Sequence, residues 1–589
     1  MGQFLKFLLA SCLGLFIGFC LLIGIGAIAI GQAISAADQV KDIKANSVLH
    51  LTLDQPIPEQ TNNLEIDPFA FENESTLGLS AILDALEQAA QDDNIKGILL
   101  EPEQLSNAGI ATSAVLHDAL REFKDSGKFV IAYADFYTQS GYYLASAADE
   151  VYVNPLGIVD LRGFSTQIPF FKDMLDRIGV NMQVYYAGKF KGATEPYRLN
   201  ELSEENRAQI RTYLDDIYKT FLSDLSDARG ISTGQLRQLA NDYTGIDPNA
   251  AQAAKLVDAV GHRDAVLGLL REKMGLEEDE DIETVSLNAY AKANPADKDY
   301  SIKDKIAIIY AEGAIVDGEG TPGSIGDEQY VKYIKEARRS DRIKAIVLRV
   351  NSPGGSAMAS ENIWKEIKLA QEAGKPVVVS MGDYAASGGY YISAAADSIF
   401  AEPNTLTGSI GVFSIVPDAS ELMNEKLGIH FDTVKTGDFS LGITPFYPMS
   451  PQGARLLQMR TDSMYETFLS RVSEGRSMSR DSVHAIAQGR VWTGNAGLRV
   501  GLVDDLGGLD RALQSAAALA ELEEYRTTSY PKVKEPLQMI LEQWLGEENV
   551  RAQALLKHEL GAHYEQYELV KQLLESRGAQ ARLPVLVSF

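Results

Sequence analysis

The chain begins with a long apolar stretch. No residue from 7 to 34 carries a charge, and only Ser11 and Gln32 are clearly polar. This run exceeds the roughly 20 apolar residues that a helix needs to cross a bilayer. Lys6 lies before it and Asp38 after it, so the positive-inside rule predicts a cytoplasmic N-terminus with the bulk of the chain on the opposite side. We therefore predict an N-terminal membrane anchor in residues 1–45, with one transmembrane helix at about 7–34.

Removal of this segment as a signal peptide is the alternative, because small residues follow it at 35–37. The apolar core of a signal peptide spans only about 7–15 residues, which favours an uncleaved anchor. The sequence leaves open whether the anchor is ever cleaved.

After the anchor, short apolar runs alternate with helical patterns. Residues 305–310, 345–350 and 376–380 have the composition of buried strands. Residues 329–339 and 360–373 have apolar positions at helical spacing between them. Strand–helix–strand order predicts an α/β fold with a largely parallel sheet covered by helices.

The same pattern of apolar and polar residues occurs twice along the chain, as an internal repeat. The hexapeptide IKGILL at 95–100 corresponds to IKAIVL at 343–348, which lies 248 positions later. At the same offset, SGYYLASAAD at 140–149 corresponds to GGYYISAAAD at 388–397. We therefore predict a tandem duplication of one α/β domain.

The duplication divides the chain into segments with different predicted roles. The predicted segments after the anchor are a first repeat at 46–275, an acidic linker at 276–300, a second repeat at 301–525 and a helical C-terminal tail at 526–589.

Composition excludes several classes of function. The formal net charge of −27 argues against nucleic acid as a partner, since phosphates are met by clustered Lys and Arg. Cys12 and Cys20 both lie in the apolar N-terminus, so the rest of the chain has neither disulfides nor a cysteine metal site. The 7 histidines form no HExxH or other close ligand pair. We predict no metal and no cofactor.

The repeats differ at glycine-rich polar positions, where candidate chemistry lies. The second repeat has NSPGGS at 351–356 directly after a strand, and the first repeat has PEQLS at 102–106 instead. Paired glycines allow backbone N–H groups to converge, as an oxyanion hole requires. Gly354 and Gly355 are therefore candidate oxyanion donors, although a plain turn is the alternative.

A serine and a lysine are retained in opposite repeats. Ser409, in TLTGSIGV, corresponds to Leu161 at the offset of 248, so the shared fold does not need this hydroxyl. Lys191, in GKFKGA, corresponds to Ser440 at an offset of 249. Such complementary loss indicates one composite site that contains both Ser409 and Lys191. Burial in an apolar pocket would keep the lysine neutral and basic.

Several motifs at matching spacing identify a family resemblance. The chain carries NSPGGS, DYAASGGYYIS, TLTGSIGV, GKFKGATEPY and GRVWTGNAGLRVGLVD. It resembles the signal peptide peptidase A (protease IV) family in its long bacterial form with two tandem domains. One departure is Phe190, where the family often has tyrosine.

The resemblance implies a Clp-protease/crotonase-like fold and a serine protease with a Ser/Lys dyad. It implies a homotetramer at the bacterial inner membrane, with the catalytic part periplasmic. Its substrates would be cleaved signal peptides and other apolar peptides. Carried over to this sequence, the nucleophile is Ser409 and the base Lys191, with Gly354 or Gly355 and the Ser409 backbone N–H forming the oxyanion hole.

Each assignment has an alternative. Ser387 occupies the position at which the Clp-type fold elsewhere keeps its nucleophile, but it could instead cap a helix. Lys189 lies two residues from Lys191 and would face the same way on an extended segment. A Ser-His-Asp triad would draw on His430, and an inactive scaffold on the same fold would use neither dyad member.

Overall fold

The computed structural model describes residues 43–61, 76–102, 108–295, 299–532 and 580–582. The predicted transmembrane helix at about 7–34 and most of the predicted tail lie outside these ranges. Among the helices in the described ranges, none is long and apolar enough to cross a bilayer.

The first repeat is built around a parallel sheet with strand order β6-β4-β3-β2-β1-β7. The strands of the first repeat are β1 Ser47–Leu51, β2 Ile95–Leu100, β3 Phe129–Tyr137, β4 Glu150–Val159, β5 Asn181–Ala187, β6 Ala259–Val260 and β7 Thr284–Ser286. Its helices are α1 Leu79–Gln91, α2 Ile110–Asp125, α3 Gln139–Ala145, α4 Lys172–Ile178, α5 Glu195–Arg198, α6 Glu204–Arg229, α7 Thr233–Asn241, α8 Pro248–Ala253, α9 Arg263–Met274 and α10 Leu287–Ala293.

The second repeat contains the equivalent sheet, with strand order β17-β15-β13-β11-β8-β19. Its strands are β8 Lys305–Glu312, β9 Ala314–Val316, β10 Ser324–Gly326, β11 Ile343–Ser352, β12 Gly354–Ser356, β13 Val377–Ala386, β14 Ser398–Ala401, β15 Leu406–Gly408, β16 Val412–Asp418, β17 Val491–Thr493, β18 Asp505–Leu506, β19 Arg526–Tyr530 and β20 Gln580–Arg582. Its helices are α11 Asp327–Arg339, α12 Ala357–Glu372, α13 Gly388–Ser393, α14 Pro451–Gly475, α15 Arg480–Ile486, α16 Gly494–Arg499 and α17 Leu509–Leu519.

The strands and helices predicted in the second repeat are confirmed. β8, β11 and β13 match the three predicted strands, with β13 starting one residue later than predicted, and α11 and α12 match the two predicted helices, with α12 ending one residue earlier. The central strands pair in parallel, and their side chains are buried almost throughout. Their continuous apolar runs follow from this burial, because helices cover both faces of such a sheet.

Two segments depart from their predicted roles. Part of the predicted linker joins the first sheet, since β7 pairs in parallel with β1 and α10 follows it. The predicted helical tail opens as a strand, because β19 extends the second sheet beside β8. β7 is only three residues long and directly follows an acidic run, so its local pattern is that of a linker, whereas consecutive threonines at 527–528 suit a strand better than a helix.

A third sheet joins the two repeats. Its strand order is β10-β9-β12-β20-β16-β5, and β5 is the strand that comes from the first repeat. β5 pairs antiparallel with β16 along its whole length, from Val412 opposite Ala187 to Asp418 opposite Asn181. This pairing places the chain that follows β5 against the second repeat.

A buried ion pair also connects the repeats. The guanidinium of Arg349 on β11 binds both carboxylate oxygens of Glu59, with N–O distances of 2.8 and 3.1 Å. Nearby, the Asp383 carboxylate on β13 accepts hydrogen bonds from the backbone N–H and hydroxyl of Thr112 on α2. Burial of a charged or polar group without a partner is energetically costly, and each of these contacts supplies that partner from the other repeat.

Removal of one partner of the buried pair should destabilise the protein. Glu59→Ala leaves Arg349 buried without its counter-ion, which typically costs about 3–5 kcal/mol. We expect a clearly lower midpoint of urea-induced unfolding, followed by circular dichroism. Glu201→Ala is the matched control, because Glu201 is 85% exposed in its pair with Arg207. Equal midpoints for the two variants would show that the buried pair does not hold the repeats.

Candidate active site

Lys191 lies in a tight turn just after β5. Gly188 in this turn has φ +108°, and a Cβ there would lie 2.4 Å from the backbone carbon of Gln488. The Phe190 N–H donates to the Gln488 carbonyl at 2.9 Å, which anchors the turn on the second repeat. The turn therefore directs the side chain of Lys191 towards the second repeat, and Lys191 is only 1% exposed.

The amide of Gln209 on α6 holds the same turn from the other side. Its Nε2 donates to the carbonyl of Phe190 at 2.8 Å, and its Oε1 accepts from the backbone N–H of Val491 at 3.1 Å. One buried side chain thus joins the lysine turn to β17. Gln209 was not among the residues predicted from the sequence, because a glutamine on an amphipathic helix carries no local signal of such a role.

The structure brings Lys191 together with two serines. Its Nζ lies 2.7 Å from the Oγ of Ser387, 3.1 Å from the Oγ of Ser409 and 3.1 Å from the Ser409 carbonyl oxygen. Lys189, in contrast, is exposed, and its ammonium lies 5.0 Å from the centre of the Phe190 ring. Of the two lysines, Lys191 is the one that contacts the serines.

Burial sets the electrostatics of this cluster. Desolvation lowers the pKa of Lys191 well below its ordinary value. None of the ion pairs recorded for the described residues involves Lys191, so no carboxylate there stabilises its ammonium form. A neutral amine has a free lone pair and can accept a proton from a hydroxyl group.

Ser387 lies between the end of β13 and the start of α13 in a strained backbone conformation. Its φ is +57° and its ψ −114°, a region that non-glycine residues rarely adopt and that costs about 1–3 kcal/mol. Its side chain makes no capping hydrogen bond with α13, so the alternative role as a helix cap is not observed. Its hydroxyl is instead directed at Lys191.

Ser409 follows β15 and also has a positive φ, of +50°. Its backbone N–H donates to the carbonyl of Arg490 at 2.7 Å. This corrects one prediction, because an N–H already bonded within the protein is not available to an oxyanion. A backbone contact between distant segments could not be foreseen from the sequence.

The paired glycines lie beside Ser387. A Cβ on Gly388, the first residue of α13, would lie 3.1 Å from the Gly355 nitrogen and 3.2 Å from the Gly354 Cα. The Gly354 N–H donates to the Ser352 hydroxyl at 3.2 Å. Gly388 opens a helix, where backbone N–H groups have no partner within the helix. The backbone of Gly355, on strand β12, and that of Gly388 therefore lie close together beside Ser387.

His430 does not take part in this arrangement. It is exposed and lies in a segment that forms neither helix nor strand. In the described ranges, no group of three or more His, Cys, Asp or Glu side chains could hold a metal ion.

The chain as a whole is similar to known proteases. The chain matches peptidase family S49 over residues 122–277 and 369–523, and the Clp protease family over residues 322–407. Protease 4 of Salmonella typhi is 35% identical over 563 residues, which cover 93% of this chain and 89% of that protein. The chloroplastic serine protease SPPA of Arabidopsis thaliana is 34% identical over 491 residues, covering 82% of this chain and 70% of that protein.

A solved structure of a ClpP1 mutant from Listeria monocytogenes is 17% identical and covers 35% of this chain and 94% of its own, with a TM-score of 0.23. The two S49 segments fall one in each repeat, in agreement with a tandem duplicated, Clp-like α/β fold. The chain therefore belongs to peptidase family S49, the signal peptide peptidase A family, and is a serine-type protease.

Proposed function

We propose that this protease cleaves peptides with a Ser/Lys dyad in which Lys191 is the general base and Ser387 the nucleophile. The observation that carries the proposal is the 2.7 Å distance between Lys191 Nζ and Ser387 Oγ, made by a fully buried lysine. The two side chains come from different repeats, which agrees with the composite site expected from the sequence.

The geometry favours Ser387 over Ser409, the serine expected from the sequence. The Ser387 hydroxyl is the closer of the two to the amine. Ser387 also adjoins the Gly354–Gly355 loop, so a carbonyl under attack there would meet backbone donors. We assign Ser409 a positioning role, because its carbonyl and hydroxyl oxygens both lie 3.1 Å from Lys191 Nζ and can orient the amine.

Proton transfer follows from these contacts. The neutral amine of Lys191 accepts the Ser387 proton while Oγ attacks the peptide carbonyl carbon. The carbonyl oxygen, now negatively charged, is stabilised by the N–H groups of Gly355 and Gly388. The ammonium returns the proton to the departing amine, which breaks the C–N bond. The same amine then activates a water molecule that hydrolyses the acyl-enzyme.

The substrate and location are proposed from the family. We propose that residues 7–34 anchor the protein in the bacterial inner membrane and that the catalytic part is periplasmic. Substrates there would be cleaved signal peptides and other apolar peptides, which remain at the membrane surface. A homotetramer is proposed on the same basis.

Substitution of the two serines should separate their roles. We expect Ser387→Ala to lower kcat for an apolar peptide by several orders of magnitude, because it removes the group that attacks. Ser409→Ala should lower kcat by roughly 10- to 100-fold, since it removes only one contact that orients the amine. Hydrolysis by the full chain in detergent is the measurement.

Covalent labelling provides the decisive readout of this experiment. A serine-directed active-site reagent should label the wild type and Ser409→Ala at Ser387, as located by peptide mass spectrometry. Label attached to Ser409, together with residual activity in Ser387→Ala, would return the nucleophile to Ser409. Absence of label and activity in the folded wild type would favour an inactive scaffold.

Activity should depend on the protonation of Lys191. Its buried amine has a lowered pKa, so activity should rise with pH through one ionisation below the ordinary lysine value and fall as the amine becomes protonated. Lys191→Met should abolish this ionisation along with most of kcat. Lys189→Met is the control and should retain both the activity and its pH profile, because Lys189 is exposed. The opposite behaviour of the two variants would assign the base to Lys189.

A further inference from the structure

One loop of the second repeat contacts both the lysine turn and Ser409. Residues 487–490 connect α15 to β17, and we call them the clamp loop. The carbonyl of Gln488 accepts from the N–H of Phe190 at 2.9 Å, and the carbonyl of Arg490 accepts from the N–H of Ser409 at 2.7 Å. The clamp loop thus anchors the backbone on both sides of the cluster.

The clamp loop lies directly against the backbone of the lysine turn, residues 188–191. Gln488 and Gly489 have φ values of +57° and +81°, so two successive residues adopt a left-handed conformation. A Cβ on Gly489 would lie 2.6 Å from the Lys191 nitrogen and 2.7 Å from the Lys191 Cβ, so no side chain fits between the two backbones. A displacement of the clamp loop would therefore move Lys191.

The side chain of Arg490 contacts two aromatic rings. Its guanidinium carbon lies 5.4 Å from the centre of the Phe190 ring and 4.2 Å from the centre of the Trp492 ring. Trp492 is itself fixed, because its indole N–H donates to the Ile486 carbonyl at 3.0 Å. A guanidinium over an aromatic face is attracted by the ring quadrupole, and its planar shape allows it to stack. Arg490 therefore connects the ring beside Lys191 to a fixed point on the second repeat.

These ring contacts are the side-chain interactions of Arg490 in the part of the chain that the structure describes. No ion pair or side-chain hydrogen bond is recorded there for its guanidinium. The chain has 81 acidic against 54 basic residues, so carboxylate partners are abundant elsewhere. Replacement of Arg490 therefore removes the ring contacts without breaking an ion pair among the described residues.

Phe190 depends on contacts to its ring face, because it has no hydroxyl group through which a hydrogen bond could hold it. The ammonium of Lys189 lies 5.0 Å from the ring centre, but Lys189 is exposed, where such contacts are weak. Arg490 is half-buried, where the same interaction is stronger. Of these two cations, Arg490 is the one suited to hold the ring in place.

We propose that Arg490 is a positioning residue for the reaction: its guanidinium holds the Phe190 ring, and with it the lysine turn, so that the Lys191 amine stays beside the serines and away from water. Phe190 directly precedes Lys191, which is 1% exposed. Arg490 acts through Phe190 and does not contact the substrate. The inference rests on the proposed role of Lys191 as general base, and it holds whichever serine attacks.

Burial controls the Lys191 amine, because the titratable groups on the adjoining elements are exposed or have partners of their own. Besides Lys189 and Arg490, they are Glu195 on α5, which accepts from Asn206, and His484 on α15, which bonds to Tyr465. Desolvation is the cause that lowers the pKa of Lys191. Access of water to the amine should therefore raise this pKa towards its ordinary value.

Removal of the Arg490 side chain should change the ionisation seen in the activity. In Arg490→Ala, we expect the midpoint of the kcat–pH profile to rise by about one pH unit, because water reaches the amine. We expect the plateau of kcat to fall roughly 10-fold, since the amine is less well oriented. KM should change by less than about twofold, because no substrate contact is lost. The measurement is hydrolysis of an apolar peptide by the full chain in detergent, across the pH range.

Three further variants make the result specific. Arg490→Lys keeps a cation over the ring and should hold the midpoint within about 0.3 pH units of the wild type. Phe190→Leu removes the ring and should shift the midpoint upwards, with little further shift when it is combined with Arg490→Ala, since both remove the same contact. Arg237→Ala is the matched control, because Arg237 on α7 lies 4.9 Å from the centre of the Tyr218 ring, away from the lysine turn. It should leave kcat and the midpoint unchanged.

Several outcomes would overturn the positioning role. One is an unmoved midpoint in Arg490→Ala that circular dichroism shows to be folded, and another is a rise in KM without a shift of the midpoint. If Arg490→Ala does not fold, an unmoved midpoint in Phe190→Leu overturns the inference in its place. Lys191→Met separates this test from that of the dyad. An ionisation that persists in Lys191→Met contradicts the proposed base, whereas one that is lost there but unmoved in Arg490→Ala contradicts only the role of Arg490.

Discussion

The burial of one lysine amine is the constraint on which the rest of the site depends. The pKa of Lys191 stays lowered only while water and counter-charges are kept from its Nζ, because solvation would restore the ordinary pKa of the ammonium. No single repeat encloses it. The first repeat supplies the turn after β5, and the second supplies both serines and the Gln488 carbonyl. The interface between the repeats therefore forms the proposed catalytic site as well as joining the two halves of the fold.

The backbone around the amine is strained, and the surrounding packing maintains that strain. Ser387 and Ser409 both have positive φ values, at the ends of neighbouring parallel strands β13 and β15. Each conformation disfavours folding by about 1–3 kcal/mol and persists only where neighbouring contacts determine it. The Ser387 N–H donates to the Gly408 carbonyl, and the Ser409 N–H donates to the Arg490 carbonyl. These two hydrogen bonds hold both serine backbones in the orientation that places their side chains beside Lys191.

Local patterns predicted the strands, helices and duplication of the second repeat, because a buried parallel sheet leaves continuous apolar runs in the sequence. Comparison of the repeats also pointed to Lys191, which the structure places against two serines. The same comparison could not decide which of the two serines is the better candidate for the nucleophile. The first repeat has Leu161 opposite Ser409 but also Gln139 opposite Ser387, so both hydroxyls are dispensable for the shared fold. Their distances from Nζ depend on how β13, β15 and the lysine turn converge in space, and no local pattern encodes that convergence.

The register of β5 against β16 couples assembly to chemistry. Lys191 follows the last residue of β5 by only four positions, and Ala187 lies opposite Val412, which is three residues after Ser409. A slip of one residue would move the turn by about 3.3 Å and turn every side chain of β5 to the opposite face. Contacts of 2.7–3.1 Å between Nζ and the serines could not survive such a shift. The close fit of Gly188 against Gln488 and the anchoring of the turn by Gln209 oppose it. Because one strand pair fixes both the joining of the repeats and the distances from Lys191 to the two serines, a chain that has docked its repeats correctly has also assembled the proposed dyad.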